Sequence, residues 1–302
     1  MGINLGKMYT ESRNTKTMNL DTMTPLEIVK IMNSEDAKIP ACITPVLPEI
    51  AQCVQWASKA IEEGGRIVYM GAGTSGRLGV LDAVECPPTF GVSPDVVVGL
   101  IAGGEKAFVR AVEGAEDSRN LGREDLGNIH IRSSDIVIGL AASGRTPYVL
   151  GGLEYAKKVG CHTVAIACNL NSEIGAAAEL AIEVSPGAEV LTGSTRLKAG
   201  TCQKMILNMI STATMVRCGK AYENLMVDVI QNNEKLRIRA RNIVMEATGC
   251  DEERAAELLL QGEGSAKTAI LIELAGCSAE AAKESLEKAR GHIRRSLEML
   301  KK

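Results

Sequence analysis

Aromatic residues are scarce, at 3 % of the 302 residues, with one tryptophan and two phenylalanines. A core of this chain has to be packed from Ala, Val, Ile, Leu and Met. Histidine is scarcer still. His130, His162 and His292 are far apart, which leaves no metal-ligand spacing. The nine cysteines contain no C-x-x-C and are odd in number, so neither a disulfide framework nor a zinc ribbon is expected. No run of eighteen apolar residues occurs, which argues against a membrane-spanning helix. The start, MGINLGKMYTESRN, has no apolar leader segment, and MGINLG lacks the Ser or Thr of a myristoylation signal. The net charge of -3 and the lack of a basic stripe argue against nucleic acid as a partner. Arg237, Arg239, Arg241, Arg294 and Arg295 stand among acids, as solvated helix faces do. No G-x-x-x-x-G-K-[ST] and no G-x-S-x-G are present. A soluble cytoplasmic protein is expected, with no metal, no membrane and no nucleic acid.

Hydrophobic residues make up 45 % of the chain, and glycine occurs 30 times. Residues 1–22 read as an extended polar arm. Thr24-Pro25-Leu26-Glu27 has the form of an N-cap, a proline at N1 and a glutamate at N3, so a helix is predicted to about Lys38. Ile50, Cys53, Val54, Ala57 and Ile61 give a second helix ending at Gly64-Gly65. The rhythm then changes. RIVYMG (66–71), VVVGLIAG (96–103), SDIVIGLAASG (134–144), HTVAIACN (162–169) and AIEVS (181–185) are short apolar runs. The first four are separated by gaps long enough for a helix. Continuous apolar strands alternating with helices predict a doubly wound α/β domain with a mainly parallel sheet. Its ligands are expected beyond the carboxyl ends of the strands. A long apolar helix is predicted from Thr195 to about Ala221. The expected domains are an arm and helix over 1–48, the α/β domain over 49–234 and a helical tail over 235–302. The tail repeats a layout: Gly-Cys, a cap at Asp251 or Ser278, then an Ala/Leu-rich helix.

Three hydroxyl-rich clusters fall at the expected carboxyl end. Gly71-x-Gly73-x-x-Gly76 fits a dinucleotide fingerprint in letters, but no acid ends the second strand to hold a ribose. Thr74 and Ser75 suit a sugar or phosphate better. Ser143, Gly144, Arg145 and Thr146 follow the third strand and open a helix, which favours an anion through free backbone N–H groups and the helix dipole. Ser194, Thr195 and Lys198 supply further hydroxyls and a cation before the long helix. Two acids flank these loops. Glu85 stands just before Pro87-Pro88, where the helix is expected to stop, and Glu116 lies at helical spacing from Glu113 after the second strand. Carboxylates in unequal environments can divide acid and base work. Asp82, Glu113 and Asp117 compete with them on sequence alone.

The runs TESRN (10–14), GAGTSGRLGVLDAVECPPTFG (71–91), GGEKAFVRAVEGAED (103–117), AASGRTPYV (141–149) and TGSTRLKAGT (192–201) resemble the N-acetylmuramic acid 6-phosphate etherase family. The resemblance covers essentially the whole chain. It implies a sugar isomerase-type phosphosugar-binding domain and a small C-terminal helical domain of ubiquitin-associated-like type. It also implies a lyase reaction that gives N-acetylglucosamine 6-phosphate and D-lactate, with no cofactor. The family's two functional glutamates fall on Glu85 and Glu116. Glu85 is then expected to protonate the departing ether oxygen, and Glu116 to take the proton at C2. Domains of this kind pair, so a homodimer with a composite site is expected. A non-catalytic phosphosugar-binding regulator and an aldose–ketose isomerase are the rival readings.

Overall fold

The computed structural model describes residues 9–231 and 234–301; the first eight residues of the expected arm lie outside that set. By contacts the chain divides into two compact units. One holds the chain up to Val84 together with Asp95–Ser211; the other holds Glu85–Pro94 and the chain from Thr212 on.

In the first unit the arm is not extended. It makes short 3-10 turns at Tyr9–Glu11, Thr15–Thr17 and Leu20–Thr22, because its own polar side chains bond locally. The Asn14 side chain accepts from the Lys16 N–H at 3.0 Å. Helix α1 spans Pro25–Asp36 and opens with the expected capping box: the Thr24 side chain and the Glu27 carboxylate each bond the other's backbone N–H. Helices α2 (Ile39–Ile43) and α3 (Leu47–Glu62) follow, each with proline in its first turn, where no N–H is missed.

Five strands come next: β1 (Ile67–Gly71), β2 (Val97–Ile101), β3 (Ile136–Ala141), β4 (His162–Ala167) and β5 (Leu180–Glu183). All neighbours pair in parallel, in the order β2-β1-β3-β4-β5. The intervening helices are α4 (Gly73–Phe90), α5 (Glu105–Val109), α6 (Arg119–Asn128), α7 (Pro147–Val159) and α8 (Glu173–Ala177). Val68, Met70, Val137 and Ala165 on one sheet face pack against Leu126 of α6, Val149 and Leu153 of α7, and Ile174 of α8. The other face carries the fully buried Ile67, Tyr69, Ile138 and Val164, with α3 packed on it. Both faces are covered, so the strands read as unbroken apolar runs. Helix α9 (Lys198–Arg217) is tied to α4 through buried Asp82, which accepts from Asn208 at 2.7 Å and Ser211 at 3.1 Å. Burial pushes the Asp82 carboxyl up, and the hydrogen bonds from Asn208, Tyr69 and Ser211 only partly offset this.

One expectation about α4 fails. The helix does not stop before Pro87-Pro88 but runs through both to Phe90. The prolines lack the N–H groups that would bond back one turn. The cost falls within the last turn, and Gly91 ends the helix with φ +61°.

The second unit holds a two-stranded ribbon, β6 (Ala221–Tyr222) against β7 (Leu225–Met226), and helices α10 (Glu234–Thr248), α11 (Glu252–Gln261), α12 (Ala266–Ala275), α13 (Ala279–Lys288) and α14 (Ile293–Leu300). Asp251 and Ser278 cap α11 and α13 as the repeat predicts. Ala240, Val244, Leu258, Ala269, Ile270 and Ile293 form its core.

Candidate active site

From β1 the chain crosses to β2 on one side, and from β2 to β3 on the other. The crevice at the carboxyl ends of β1 and β3 is therefore the topological switch point, where an open parallel sheet leaves room for a ligand. Two hydroxyl-bearing segments meet it.

The segment after β1 enters α4 at once, so Thr74 and Ser75 lie in the helix's first turn. A side chain at Gly76 would come 2.6 Å from the Gly71 carbonyl oxygen and 2.7 Å from Ile101. Close packing of helix on strand, and not a dinucleotide, accounts for that glycine. Thr74 is half-buried. Ser75 is buried, and its hydroxyl donates to Gln203 Oε1 at 2.9 Å, which ties α4 to α9.

The segment after β3 is more open. Gly144 has φ +78°, and an added Cβ would sit 2.4 Å from that of Ser172. Only glycine fits this turn. Thr146 stands at the N-cap of α7 yet makes no side-chain capping bond, and Ser143 and Thr146 are half-buried. Pro147 opens α7 without an N–H, and Tyr148 and Val149 behind it are fully buried, so what faces a ligand here is the uncapped Thr146 hydroxyl at the positive end of the helix dipole, which favours an anion. Asn169 was not among the sequence candidates. It is buried at the end of β4 and donates Nδ2 to the Ala142 carbonyl at 3.1 Å and to Thr10 Oγ1 at 3.0 Å. An amide ending an otherwise apolar strand was the available signal.

The third cluster has another use. The N-terminus of α9 is already filled: the Glu189 carboxylate, fully buried, accepts from the Lys198 N–H at 2.9 Å and the Ala199 N–H at 3.0 Å. Burial raises the Glu189 carboxyl, against the pull of those amides and of the Lys198 charge. The Lys198 side chain is buried too, and donates to Glu35 Oε2 and the Pro186 carbonyl, both at 3.0 Å. Glu35 also accepts from Lys38. Burial alone would raise the Glu35 carboxyl, but hydrogen bonds from Lys38 and Lys198 and their charges outweigh it and hold it at about 2. Ser194 and Thr195 lie half-buried just before α9.

Glu116 is carried by a 3-10 turn, Ala115–Asp117, that follows Gly114 at φ +74°. With Glu113, Arg77, Gly73 and Ala72 it lines a cavity of ≈ 240 Å³ at the ends of β1 and β2. Arg77 donates to the carbonyls of Ala107 at 2.7 Å and Phe108 at 2.8 Å, which holds α5 against α4. Arg145 is half-buried. Glu85 is exposed on α4. It is not among the residues lining this cavity. A larger cleft of ≈ 890 Å³ at the β2 edge is apolar, with Leu81, Val84, Phe108 and Val109, and lacks the hydroxyl loops. His162 stacks on Trp56 at 4.3 Å and pairs with Glu179, away from these loops. Among the described residues no three His, Cys, Asp or Glu converge as a metal site would need.

A parallel sheet with hydroxyl loops at its switch point defines a domain of the SIS type. The SIS domain model matches residues 123–213, and that of the glucokinase regulatory protein N-terminal SIS domain matches residues 49–157. Two solved structures share the fold. A phosphoheptose isomerase from Francisella tularensis superposes with TM-score 0.50 at 14 % identity, over 64 % of this chain and 100 % of that one. A phosphoheptose isomerase from Neisseria gonorrhoeae superposes with TM-score 0.50 at 13 % identity, over 63 % and 98 %. Relatives in sequence reach further. N-acetylmuramic acid 6-phosphate etherases from Exiguobacterium and Halalkalibacterium halodurans are each 55 % identical, over 97 % and 98 % of this chain and 100 % and 99 % of theirs. One from Escherichia coli is 52 % identical over 97 % of this chain and 99 % of its own. The chain belongs to the N-acetylmuramic acid 6-phosphate etherase family.

Proposed function

We propose that this protein cleaves the lactyl ether of N-acetylmuramic acid 6-phosphate, giving N-acetylglucosamine 6-phosphate and D-lactate in the recycling of cell-wall sugars. The observation that carries the reading is the near full-length identity to etherases, joined to an open, hydroxyl-lined helix N-terminus at the switch point. No metal or organic cofactor enters the scheme.

The 6-phosphate is held at the start of α7 by the Ser143–Gly144–Arg145–Thr146 segment, through the Ser143 and Thr146 hydroxyls, with Thr74 opposite. Ser75 supports that wall through Gln203, and Lys198 steadies the start of α9. With the sugar open, the aldehyde makes the C2 proton acidic. The Glu116 carboxylate removes it. The electron pair forms the C2–C3 double bond as the C3–O bond breaks, and Glu85, supplied to the composite site by the second copy, gives its proton to the departing lactate oxygen. Water then adds at C3 with its proton going to Glu85, and C2 is reprotonated by Glu116. Positioning through the phosphate, remote from the broken bond, supplies the orientation.

The reading includes a homodimer with a composite site. Val84 at 63 % and Val109 at 81 % exposure, at the apolar cleft by β2, support an association of two copies. It also includes a cytoplasmic location, in keeping with nine cysteines of which none is in a disulfide, and a ubiquitin-associated-like character for the capped helices α11–α13. The test is D-lactate release from N-acetylmuramic acid 6-phosphate by wild type and by Glu85→Ala. Release by wild type alone is expected. No release by a folded wild type that binds N-acetylglucosamine 6-phosphate sinks the assignment.

A further inference from the structure

Residues Thr10–Asn14 form a strap fastened at both ends. At one end Thr10, 1 % exposed, accepts from Asn169 Nδ2, the same nitrogen that holds the Ala142 carbonyl beside Ser143. At the other end Asn14 Nδ2 donates to Glu35 Oε2 at 3.3 Å and the Ala188 carbonyl at 3.4 Å, and the Thr17 hydroxyl donates to the Val190 carbonyl at 2.8 Å. Between the fasteners Arg13 is exposed, and its guanidinium makes no hydrogen bond or ion pair among the described residues. It lines a cavity of ≈ 400 Å³ together with Thr192 and Asp21, and makes no ion pair to that aspartate.

The substrate in the reading above and its sugar product share the phosphate and the N-acetylglucosamine ring. They differ in the lactyl group, which adds one carboxylate. A site that selects the substrate needs a cation for that carboxylate. Lys198 is committed to Glu35 and Pro186, Arg77 to two carbonyls, and Arg145 lies half-buried in the segment assigned to the phosphate. Three residues of chain from Thr10 to Arg13 span at most about 10 Å, which keeps Arg13 near the Ser143 segment that Asn169 ties to Thr10. The SIS domain matches begin only at residue 49, so the strap lies outside the part shared with that domain at large.

We propose that Arg13 receives the lactyl carboxylate through a two-bond guanidinium contact, which makes the strap the element that separates substrate from sugar product. The proposal rests on the etherase reading. Its test compares Arg13→Gln, Arg13→Lys and Arg196→Gln with wild type, each checked for an unchanged thermal melt. KM for N-acetylmuramic acid 6-phosphate and the inhibition constant of N-acetylglucosamine 6-phosphate are measured for all four. Arg13→Gln is expected to raise KM by about 10- to 100-fold, the loss of a charged hydrogen-bond pair. It should leave the inhibition constant within about twofold, the size of a neutral surface change. Arg13→Lys should recover part of the loss, and Arg196→Gln should change neither constant. Parallel weakening of both ligands, or no change in either, overturns the role of Arg13 while wild-type lactate release upholds the etherase reading. A wild type that binds the sugar product but releases no lactate overturns both.

Discussion

The N-termini of α7 and α9 both follow segments rich in serine, threonine and glycine, yet one is open and the other is filled. At α7 the N-cap threonine leaves its hydroxyl uncommitted, and Pro147 behind it brings no N–H to fill. At α9 a buried glutamate has taken the amides, and a second buried glutamate has taken the lysine. Hydroxyls and glycines beside a helix start therefore do not make an anion site by themselves. What decides is whether an acid from elsewhere in the chain already occupies the donors. Glu189 takes the amides and Glu35 the lysine at α9, whereas at α7 the acid that meets the first turn, Asp125 of α6, takes the Tyr148 hydroxyl and leaves the Thr146 hydroxyl alone.

The largest effect expected from breaking this contrast is on stability. Glu35→Ala leaves the buried Lys198 ammonium without its carboxylate and should cost about 3–5 kcal/mol, read from urea unfolding; a loss below about 1 kcal/mol would mean the pair does not hold the start of α9. The same pair gives an acid limb. The folded Glu35 carboxyl sits at about 2, below its unfolded value of about 4.3. Its contribution is therefore complete above the unfolded value and is lost as pH falls toward 2. Glu35→Gln should flatten the stability profile in that window, and an unchanged slope there would assign the acid limb to other groups.

Next in size is Thr146→Val at the open terminus. Affinity for N-acetylglucosamine 6-phosphate, measured by calorimetry, should fall about 10- to 100-fold for a lost hydrogen bond to a charged group. Glu189→Gln keeps one acceptor for two amides, so about 1 kcal/mol of stability should go, with ligand affinity unchanged. If Glu189→Gln instead weakened the sugar phosphate as strongly as Thr146→Val, the two termini would be parts of one site. The smallest effect belongs to Ser194→Ala, expected within about twofold of wild type in affinity.

The sheet, its helices and the caps were legible because they depend on neighbours in sequence. Apolar runs marked β1 to β5, and Thr24 with Glu27 marked the start of α1. The loops of the candidate site were legible for the same reason. What could not be read depends on distant partners. Lys198 looked like a free cation until Glu35, 163 residues earlier, closed on it. Asn169 gains its role from Thr10, 159 residues away. Pro87 and Pro88 misled because a local rule yielded to a helix already formed around them, so that Glu85 lies within a helix and not at its end. The arm misled because its asparagine and threonine side chains curl it into short turns.

The strand order carries a consequence for how the chain reaches this fold. The central pair, β1 with β3, joins Ile67 to Ile136, while β2 is formed within the excursion between them. The middle of the sheet cannot assemble from adjacent segments, and a long loop must close before its hydrogen bonds reward the closure. Refolding should be slow for this reason, with the central seam as the late step and α6 against α7, which pack on each other nearby in sequence, as an early one.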